Sequence, residues 1–430
     1  MSPAATSPLV EALEAQAAAL AMPRTAAYEA ARAHGIPTTR HERWKYTNLR
    51  ALAARRFAAP QGRPTVDPST VADIPAPRLV IANGRYAPAL SDLHGLAEGL
   101  RVRLLSEVLR DAPDEAAAWL DTDLSRPDAA FQQWNSALAE EGFVLEVGAG
   151  VRVEAPLHLV VLGVEDGAER AFHLRHRIAL GAGAALTVAK HHLGSGTHRH
   201  LLNTVLQVEL GDSAELTQAR VQREADGATL IQRTHATLGA NAHYRRLDIE
   251  LGGALSRHEL DVLLAGNGAQ LDANGVLLAD ARRHLDTRLG IEHRARDTRC
   301  ELIWRGIGAQ RGRAVFHGGI LIAEGADGSN ATLSNKNLLL DDGAEINTQP
   351  VLVIHADDVQ AAHGATVGRL DDTALFYLRA RGVPLTEATA MLTAAFLREP
   401  LAVLGNERLE AMLADVLDAH LAERANAGSP

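Results

Sequence analysis

The chain has 430 residues, of which 47% are hydrophobic and 22% are charged, and its formal net charge is −10. A chain of this length exceeds one compact core, so we expect two or three structural units. The negative charge argues against nucleic acid as the main partner, because phosphate binding depends on accumulated positive charge.

The N-terminal segment and the cysteine count indicate the cellular compartment. Nothing before Arg24 is basic, and Glu11 and Glu14 interrupt the early apolar stretch, so a secretory signal is not expected. No window approaches the roughly 18 uncharged apolar residues of a membrane-spanning helix. The single cysteine, Cys300, excludes an internal disulfide framework and fits a reducing cytosol. We therefore predict a cytoplasmic protein with no membrane partner.

Residues 1–140 are predicted to form a mostly helical N-terminal region. Ser7 followed by Pro8 is typical of a helix start, because a hydroxyl caps the first turn and proline fits its first position. The alanine-rich helix after it is expected to end at Pro23, and a second helix near Gly35, a favoured C-terminal cap.

The second half of this region mixes three patterns. Five prolines between residues 58 and 77 predict an extended linker. Residues 78–82 form a short strand candidate, and Asn83-Gly84 after it is a hairpin-type turn signal. A helical pattern returns over residues 104–139, interrupted twice at prolines.

From residue 141 to about residue 370 the pattern becomes short apolar alternations separated by Gly, Asn and Asp. An internal repeat runs through this region, since residues 179–189 resemble residues 209–219, and shorter copies begin at residues 237 and 264. Its turn glycines are 27 to 30 residues apart, at Gly181, Gly211, Gly239 and Gly266. Such a period with two strands per repeat predicts a parallel β-helix, in which the glycines turn corners at positive φ. A sandwich or barrel is the alternative, and the fixed period disfavours it.

Residues 371–430 are predicted to form a helical C-terminal domain. Asp371-Asp372-Thr373 is typical of a helix start, with carboxylates at the positive end of the helix dipole. The apolar face that follows ends near Gly382, a further helix begins at residues 383–387, and the last runs over about residues 406–425. We expect this domain to close one end of the solenoid, so the fold class is mainly β with helical domains on both sides.

A group of four histidines could suggest a metal site. They flank Gly194-Ser195-Gly196, which indicates a solvated turn, and no carboxylate or thiol stands at a defined spacing from them. We therefore interpret them as surface residues. They are His191, His192, His198 and His200.

No catalytic motif is convincing. The acid pairs Asp341-Asp342 and Asp357-Asp358 could suggest a β-helix polysaccharide lyase or hydrolase, which needs two carboxylates across a sugar bond. Both pairs fall at predicted turns, where aspartate caps backbone amides, and aromatics for sugar stacking are scarce. Cys300 lies on a probable strand and is interpreted as a buried small apolar residue.

Three segments of the C-terminal half resemble the signature of the SufD branch of the SufB/SufD family of iron–sulfur cluster assembly proteins. They are residues 335–340 (Asn-Lys-Asn-Leu-Leu-Leu), residues 353–372 around Ala362-His363-Gly364, and residues 375–382. Three earlier segments are also similar to stretches of the family: Trp44-Lys45-Tyr46-Thr47, residues 131–137 followed by residues 142–145, and residues 312–318.

The resemblance implies a right-handed parallel β-helix between helical domains, and a non-catalytic scaffold subunit that pairs with SufB. It also implies a SufC ATPase docked on the C-terminal helical domain, in a region that here contains Phe376, Tyr377, Arg379 and Arg381. The nascent iron–sulfur cluster is expected at the SufB interface, and this chain alone is expected to hold none. A SufB-type subunit is the alternative within the family, and the scarcity of cysteine disfavours it.

His363 matches the histidine that the family is thought to contribute to the nascent cluster. From its residue type alone, a single histidine at a strand end is more often structural. Some family members carry a cysteine two residues before this histidine, whereas this chain has Ala361. The resemblance therefore implies a role for the imidazole and no role for a neighbouring thiol.

Overall fold

A computed structural model describes residues 7–20, 24–120 and 124–427. Its main body is a flattened parallel β-solenoid of about 8 coils, each made of one strand from each of two facing sheets. The prediction of a parallel β-helix is therefore confirmed. The strands are β1 (Arg78–Ala82), β2 (Arg85–Tyr86), β3 (Leu100–Leu104), β4 (Phe143–Val147), β5 (Arg152–Val164), β6 (Ala171–Leu180), β7 (Ala185–Ser195), β8 (Leu201–Leu210), β9 (Glu215–Arg223), β10 (Thr229–Leu238), β11 (His243–Glu250), β12 (Leu255–Leu264), β13 (Gln270–Ala279), β14 (His284–His293), β15 (Arg299–Gly308), β16 (Arg313–Ile322), β17 (Asn330–Leu339), β18 (Glu345–Ile354) and β19 (Gln360–Gly368).

The two sheets are built from alternate strands. From β4 to β19, even-numbered strands stack in one sheet and odd-numbered strands in the other, each parallel to the strand one coil away. Apolar residues at every second position face inward and form one continuous core between the sheets. This is why the sequence alternates over such short runs.

At the N-terminal end both sheets finish in antiparallel pairs. β1 extends the odd-strand sheet beside β5, and the hairpin turn at Asn83-Gly84 places β2 antiparallel to β1. β3 pairs antiparallel with β4 at the end of the even-strand sheet. The predicted strand at residues 78–82 and its hairpin turn are thus confirmed, and the sheets reach back into the N-terminal region.

The repeat glycines do lie at the corners, but the reason given for them was wrong. Positive φ occurs two residues later, for example at Gly183 and Asn241. At the repeat glycines themselves the previous coil passes too close for a side chain. A Cβ at Gly181 would lie 2.7 Å from the nitrogen of Ala149, and one at Gly266 only 2.1 Å from the nitrogen of Ala240. These glycines allow successive coils to stack closely.

The helices of the described residues follow the predicted order. Ser7 caps α1 by accepting a hydrogen bond from the Val10 nitrogen, and α1 ends at Ala18; the expected end at Pro23 lies outside the described residues. The second helix ends before Gly35, as predicted. The helices are α1 (Pro8–Ala18), α2 (Thr25–His34), α3 (Arg50–Ala53), α4 (Leu105–Asp111), α5 (Pro113–Leu120), α6 (Ala130–Leu138), α7 (Asp372–Arg379), α8 (Leu385–Arg398) and α9 (Glu407–Ala427).

The C-terminal helices do not close the end of the solenoid, contrary to expectation. Leucines of α8, α9 and the 3₁₀ helix Glu399–Leu404 pack on the outer face of the odd-strand sheet, in the middle of the solenoid. Buried Arg305 on β15 holds Glu399 through two hydrogen bonds of 2.6 Å. The physical reason is the apolar outer face of β9, β11 and β13, which these leucines cover.

The segment Trp44-Lys45-Tyr46-Thr47 attaches the N-terminal region to the outer face of the even-strand sheet. The Trp44 ring is buried, and the guanidinium of Arg257 on β12 lies 3.9 Å from its centroid. The Thr47 hydroxyl donates to the carboxylate of Asp286 on β14. Thus the first and last residues of this tetrapeptide bind the solenoid, whereas Tyr46 is exposed.

Replacing Trp44 should detach this contact. We expect Trp44→Ala to lower the free energy of unfolding by about 3–5 kcal/mol, the usual range for removing a buried large aromatic side chain. The control Tyr46→Ala, two residues away on the exposed face, should change it by about 0.5 kcal/mol or less. Urea denaturation of the two variants measures the difference, and equal effects would contradict the docking role of Trp44.

Candidate functional site

The C-terminal end of the solenoid is open. β18 and β19 are the outermost strands of the two sheets, and within the described part of the chain each has a sheet neighbour on one side only. Val353, Ile354 and Val367 are among the large apolar residues exposed there. The last coil therefore presents two unpaired strand edges and an uncovered apolar rim.

His363 lies on β19 in this open coil. It pairs in register with Leu333 of β17, a buried core residue, so its side chain occupies the inward face of the solenoid. It is nevertheless exposed, because no later coil of the described residues covers this face. His355, directly after β18, is a second exposed histidine of the same coil, one that the sequence reading did not single out.

Two asparagines of the segment Asn335-Lys336-Asn337 brace the coil behind His363. The Asn337 amide donates to the Thr366 carbonyl of β19 over 3.0 Å and to the Asn335 side chain over 2.7 Å. The Thr348 hydroxyl of β18 donates to the same Asn335 oxygen over 2.7 Å. Both strands of the last coil are therefore held by side chains of the preceding coil.

The backbone hydrogen bonds between the last two coils show which residues of β18 and β19 have free N–H and C=O groups. The Gln360 nitrogen donates to the Ser329 carbonyl of the preceding coil over 3.0 Å, so every second residue of β19, counted from Gln360, directs its backbone groups toward β17. The residues between them direct their backbone N–H and C=O groups toward the free edge of β19. The residues whose backbone groups face the free edge are Ala361, His363, Ala365 and Val367.

The edge of β18 is different. The His355 nitrogen donates to the Ile322 carbonyl of the preceding coil over 2.8 Å. Pro350 lies an odd number of positions before His355, so its backbone groups face the free edge of β18. Proline has no N–H, so it is tolerated at this edge and interrupts its row of donors. β19 thus offers an uninterrupted edge and β18 an interrupted one.

Cys300 cannot serve as a ligand in this arrangement. It is buried in the core, as predicted, and burial raises the pKa of its thiol to about 12. His293 holds it through a sulfur–nitrogen contact of 3.3 Å to Nε2. Over residues 7–20, 24–120 and 124–427 no group of three or more His, Cys, Asp or Glu side chains could hold a metal ion.

The acid pairs lie at turns, as predicted. The Asp341 carboxylate accepts a hydrogen bond from the Gln310 nitrogen over 2.6 Å, and Asp342 contacts Arg369 over 2.5 Å. Asp358 lies between β18 and β19, and its carbonyl accepts from the Gly328 nitrogen over 2.7 Å. These contacts link neighbouring coils at their corners.

Among the C-terminal helices, α7 carries an exposed face with two aromatic residues. Phe376 is 73% exposed and Tyr377 is 55% exposed, whereas Leu375 and Leu378 of the same helix are half-buried. The Arg381 guanidinium lies 3.4 Å from the centroid of the Tyr377 ring, and Arg379 is exposed beside it. The face combines aromatic and cationic groups, a composition typical of protein interfaces.

Comparison with known proteins identifies the family. Residues 163–396 match the family model described as "SUF system FeS cluster assembly, SufBD core domain", and residues 10–159 match the SufBD N-terminal region. The iron–sulfur cluster assembly protein SufD of Escherichia coli is 31% identical over 87% of each chain. The chain belongs to the SufBD family. Its SufBD relatives also include slr0076 of Synechocystis, 28% identical over 85% of this chain and 83% of the relative, and Rv1462 of Mycobacterium tuberculosis, 31% identical over 67% and 73%.

The matched SufBD segments cover the whole open coil and α7. The core model extends through β19 and most of α8, so His363 and the exposed aromatic face both lie within it. None of the helices in the described ranges is long and apolar enough to span a membrane.

The four histidines flanking Gly194-Ser195-Gly196 are buried, so their prediction as surface residues was wrong. β7 continues through His191 and His192, and His192 faces the interior of the solenoid. His191 faces outward, where its Nε2 lies 3.0 Å from Nδ1 of His158. His198 and His200 stack on each other with centroids 4.4 Å apart. Burial lowers the pKa of each of the four.

Glu224 lies beside this group and should make stability depend on pH. Burial raises its pKa to about 8, and its carboxylate lies 4.0 Å from Nδ1 of His192. A folded-state pKa above the unfolded value of 4.5 means that the folded chain binds the extra proton. Ionisation above pH 4.5 favours the unfolded chain, so stability is lost as the pH rises from about 4.5 to about 8.

The variant Glu224→Gln removes this titration. We expect its free energy of unfolding to match that of the parent near pH 4.5. At pH 9 the free energy of unfolding of the variant should be higher by up to a few kcal/mol, since one pKa unit corresponds to about 1.4 kcal/mol. Urea denaturation across this pH range provides the measurement. The control Glu301→Gln, at an exposed position of β15, should follow the parent at every pH. If the free energies of unfolding of Glu224→Gln and the parent changed with pH in the same way, a raised pKa for Glu224 would be contradicted.

Sequence reasoning also missed a set of ionisable residues inside the solenoid. The signal was available, because inward positions of β7 include Leu186 and Val188, and the same parity continues to Lys190 and His192. Arg220 of β9 pairs in register with Lys190, so the inward ionisable residues continue from strand to strand. Fully buried ionisable residues of β11 and β12 complete the set: Arg246, Asp248, Glu250 and His258.

Proposed function

We propose that this chain is the SufD-type subunit of a Suf complex, a non-catalytic scaffold that pairs with SufB and completes the site of the nascent iron–sulfur cluster. The observation that carries the proposal is the open last coil, with His363 exposed on its uncovered inward face. A solenoid end of this kind can be continued by a second solenoid, and the imidazole would then lie at the junction.

The chemistry of the site supports a shared cluster. An iron–sulfur cluster is normally held by about four thiolate or imidazole ligands. The open coil supplies exposed imidazoles, while the thiol of Cys300 lies in the core. The cluster, which is the cargo of this system, therefore needs thiolates from SufB, and His363 adds one nitrogen ligand of a type that suits iron.

The edge of β19 supports pairing by strand addition. An incoming strand binds an edge through its backbone groups, so an uninterrupted row of outward N–H and C=O groups is favourable. β19 offers such a row at Ala361, His363, Ala365 and Val367, whereas Pro350 interrupts the row on β18. Pairing along β19 would bring the partner chain directly beside His363.

The exposed face of α7 supports docking of the SufC ATPase. Phe376 and Tyr377 are large apolar residues that the chain itself leaves uncovered, with Arg379 and Arg381 beside them. Aromatic and arginine side chains supply most of the binding energy at many protein interfaces. α8 and α9 are anchored to the solenoid, so α7 is presented on a fixed support.

The role of His363 can be tested in the complex formed by co-expression with SufB and SufC. We expect His363→Ala to reduce iron and sulfide per complex at least tenfold, because the shared site loses a ligand. Heterodimer yield and SufC binding should remain within experimental error of the parent. Anaerobic purification followed by iron and acid-labile sulfide analysis measures the effect.

His355→Ala is the matched control, since it removes a second exposed imidazole from the same coil. It should retain the cluster content of the parent complex. Normal iron and sulfide in an intact His363→Ala complex would exclude His363 from the site. Loss of the heterodimer itself would instead assign His363 a structural role.

A further inference from the structure

Four polar side chains form a compact patch inside the solenoid, on the inward faces of β7 and β9. Lys190 pairs in register with Arg220, and His192 pairs in register with Gln222. The four positions are therefore neighbours on adjacent strands, about 4.8 Å apart across the sheet. All four residues are buried, with exposures of 2% or less.

Each member of the patch has a nitrogen without a hydrogen-bond partner among the described residues. These atoms are Nζ of Lys190, Nη1 of Arg220, Nε2 of Gln222 and both ring nitrogens of His192. Arg220 Nη1 is always a donor. The Gln222 oxygen already accepts from the Gly252 nitrogen over 2.9 Å, which fixes its Nε2 as a donor as well.

A fifth donor comes from the facing sheet. Nδ1 of His176 on β6 accepts a hydrogen bond from the Phe143 nitrogen over 3.0 Å, so the neutral ring carries its proton on Nε2. That Nε2 has no acceptor among the described residues, and the ring interacts electrostatically with Lys190 and His192. The donors of the patch thus come from both sheets.

The neighbouring carboxylates are already paired with arginines and leave Lys190 without a counter-ion. Arg220 donates to Asp248 over 2.7 Å and to Glu250 over 2.8 Å, and Arg246 donates to Asp248 over 2.7 Å. Two guanidinium groups are therefore balanced by two carboxylates. Lys190 Nζ has no hydrogen-bond partner among the described residues, and none of their ion pairs includes it. Burial, with Arg220 and Arg246 nearby, lowers the pKa of Lys190 well below its usual range, so its ammonium form requires an anion beside it.

We propose that this patch holds one small monovalent anion, of the size of a halide, between Lys190, Arg220 and Gln222. An anion accepts hydrogen bonds from the unpaired donors together and stabilises the ammonium form of Lys190. The spacing of one strand across the sheet and the near-complete burial of all four residues favour a small ion over a polyatomic oxyanion. The site is independent of the open coil and of the partners proposed for it.

The anion should stabilise the folded chain, because the patch does not exist in the unfolded chain. We expect the melting temperature to rise by roughly 2–4 °C when bromide replaces gluconate, an anion too large for the patch, at constant ionic strength. Crystals of the full chain grown in sodium bromide should show a bromine anomalous peak between Lys190 Nζ and Arg220 Nη1. No peak and no shift would mean that water satisfies these donors, which would overturn the proposal.

A carboxylate built into the patch should replace the anion. Gln222→Glu keeps the oxygen that accepts from Gly252 and adds a negative charge, so its melting temperature should be the same in bromide and gluconate, and the anomalous peak should disappear. Gln270→Glu, the same change at an exposed position, should behave like the parent. Lys190→Met provides a second removal of the charge if Gln222→Glu folds poorly. A peak that persists in both patch variants would show that the bromide is adventitious only.

Discussion

Ala365→Pro is expected to abolish pairing with SufB. Ala365 directs its N–H outward from β19, so proline removes a donor from the free edge and leaves the hydrogen bonds to β17 in place. The proline ring also obstructs an incoming strand at the centre of that edge. Size-exclusion chromatography of the co-expressed chains should show separate subunits in place of the heterodimer.

The matched control is Ala365→Thr, which keeps the N–H and adds a branched side chain suited to strands. It should yield the heterodimer at the parent level. The melting temperature of isolated Ala365→Pro should stay within a few degrees of the parent, because the solenoid ladder is unchanged. A normal heterodimer yield for Ala365→Pro would move the pairing surface away from β19.

The double variant Phe376→Ser, Tyr377→Ser is expected to prevent SufC docking while the chain still pairs with SufB. Two aromatic anchors worth about 2 kcal/mol each correspond to a loss in affinity of roughly a thousandfold. α7 should still form, because Asp371 caps it and Leu375 and Leu378 remain as its half-buried apolar residues. Titration calorimetry or co-purification with SufC measures the effect.

Met391→Ser is the control for this experiment. Met391 is a similarly exposed apolar residue, but it lies on α8, outside the aromatic face. Its replacement should leave SufC affinity within about threefold of the parent. Equal losses in the two variants would extend the docking surface to α8, and unchanged affinity in the double variant would place it elsewhere.

The solenoid was predictable from the sequence because its repeat is a local pattern. The glycines from Gly181 to Gly266 recur at each coil, and apolar alternation supplies the strands between them. The function of those glycines was harder to predict, since a close approach between residues about 30 positions apart leaves no trace in the local sequence. The backbone of Ala240 beside Gly266 becomes visible only in three dimensions.

The buried histidines illustrate a second limit. His191 and His192 precede a Gly-Ser-Gly segment, and local turn chemistry alone suggested a solvated position. The register with β5 and β9 extends β7 through this segment and buries both rings. The position of the C-terminal helices was also not predictable from the sequence, because amphipathic helices can pack either on the end of a solenoid or on its apolar outer face.

His363 was identified through family resemblance, and its exposure depends on features that residue type does not reveal. The same imidazole one coil earlier, at the position of Leu333, would be buried in the core. What distinguishes it is that β19 is the outermost strand of its sheet. The location of a residue along the solenoid, more than its immediate neighbours, determines whether it can meet a partner.

The two ends of the solenoid differ in a way that limits how far an assembly can grow. At the N-terminal end, the β1–β2 hairpin and the antiparallel pair of β3 with β4 turn the chain back on itself, so a further parallel coil has no template there. Within the described chain, the parallel ladder can therefore be continued at the C-terminal end only. Two such chains joined through their open ends would expose short antiparallel strands on each side, which favours a finite pair over a fibre.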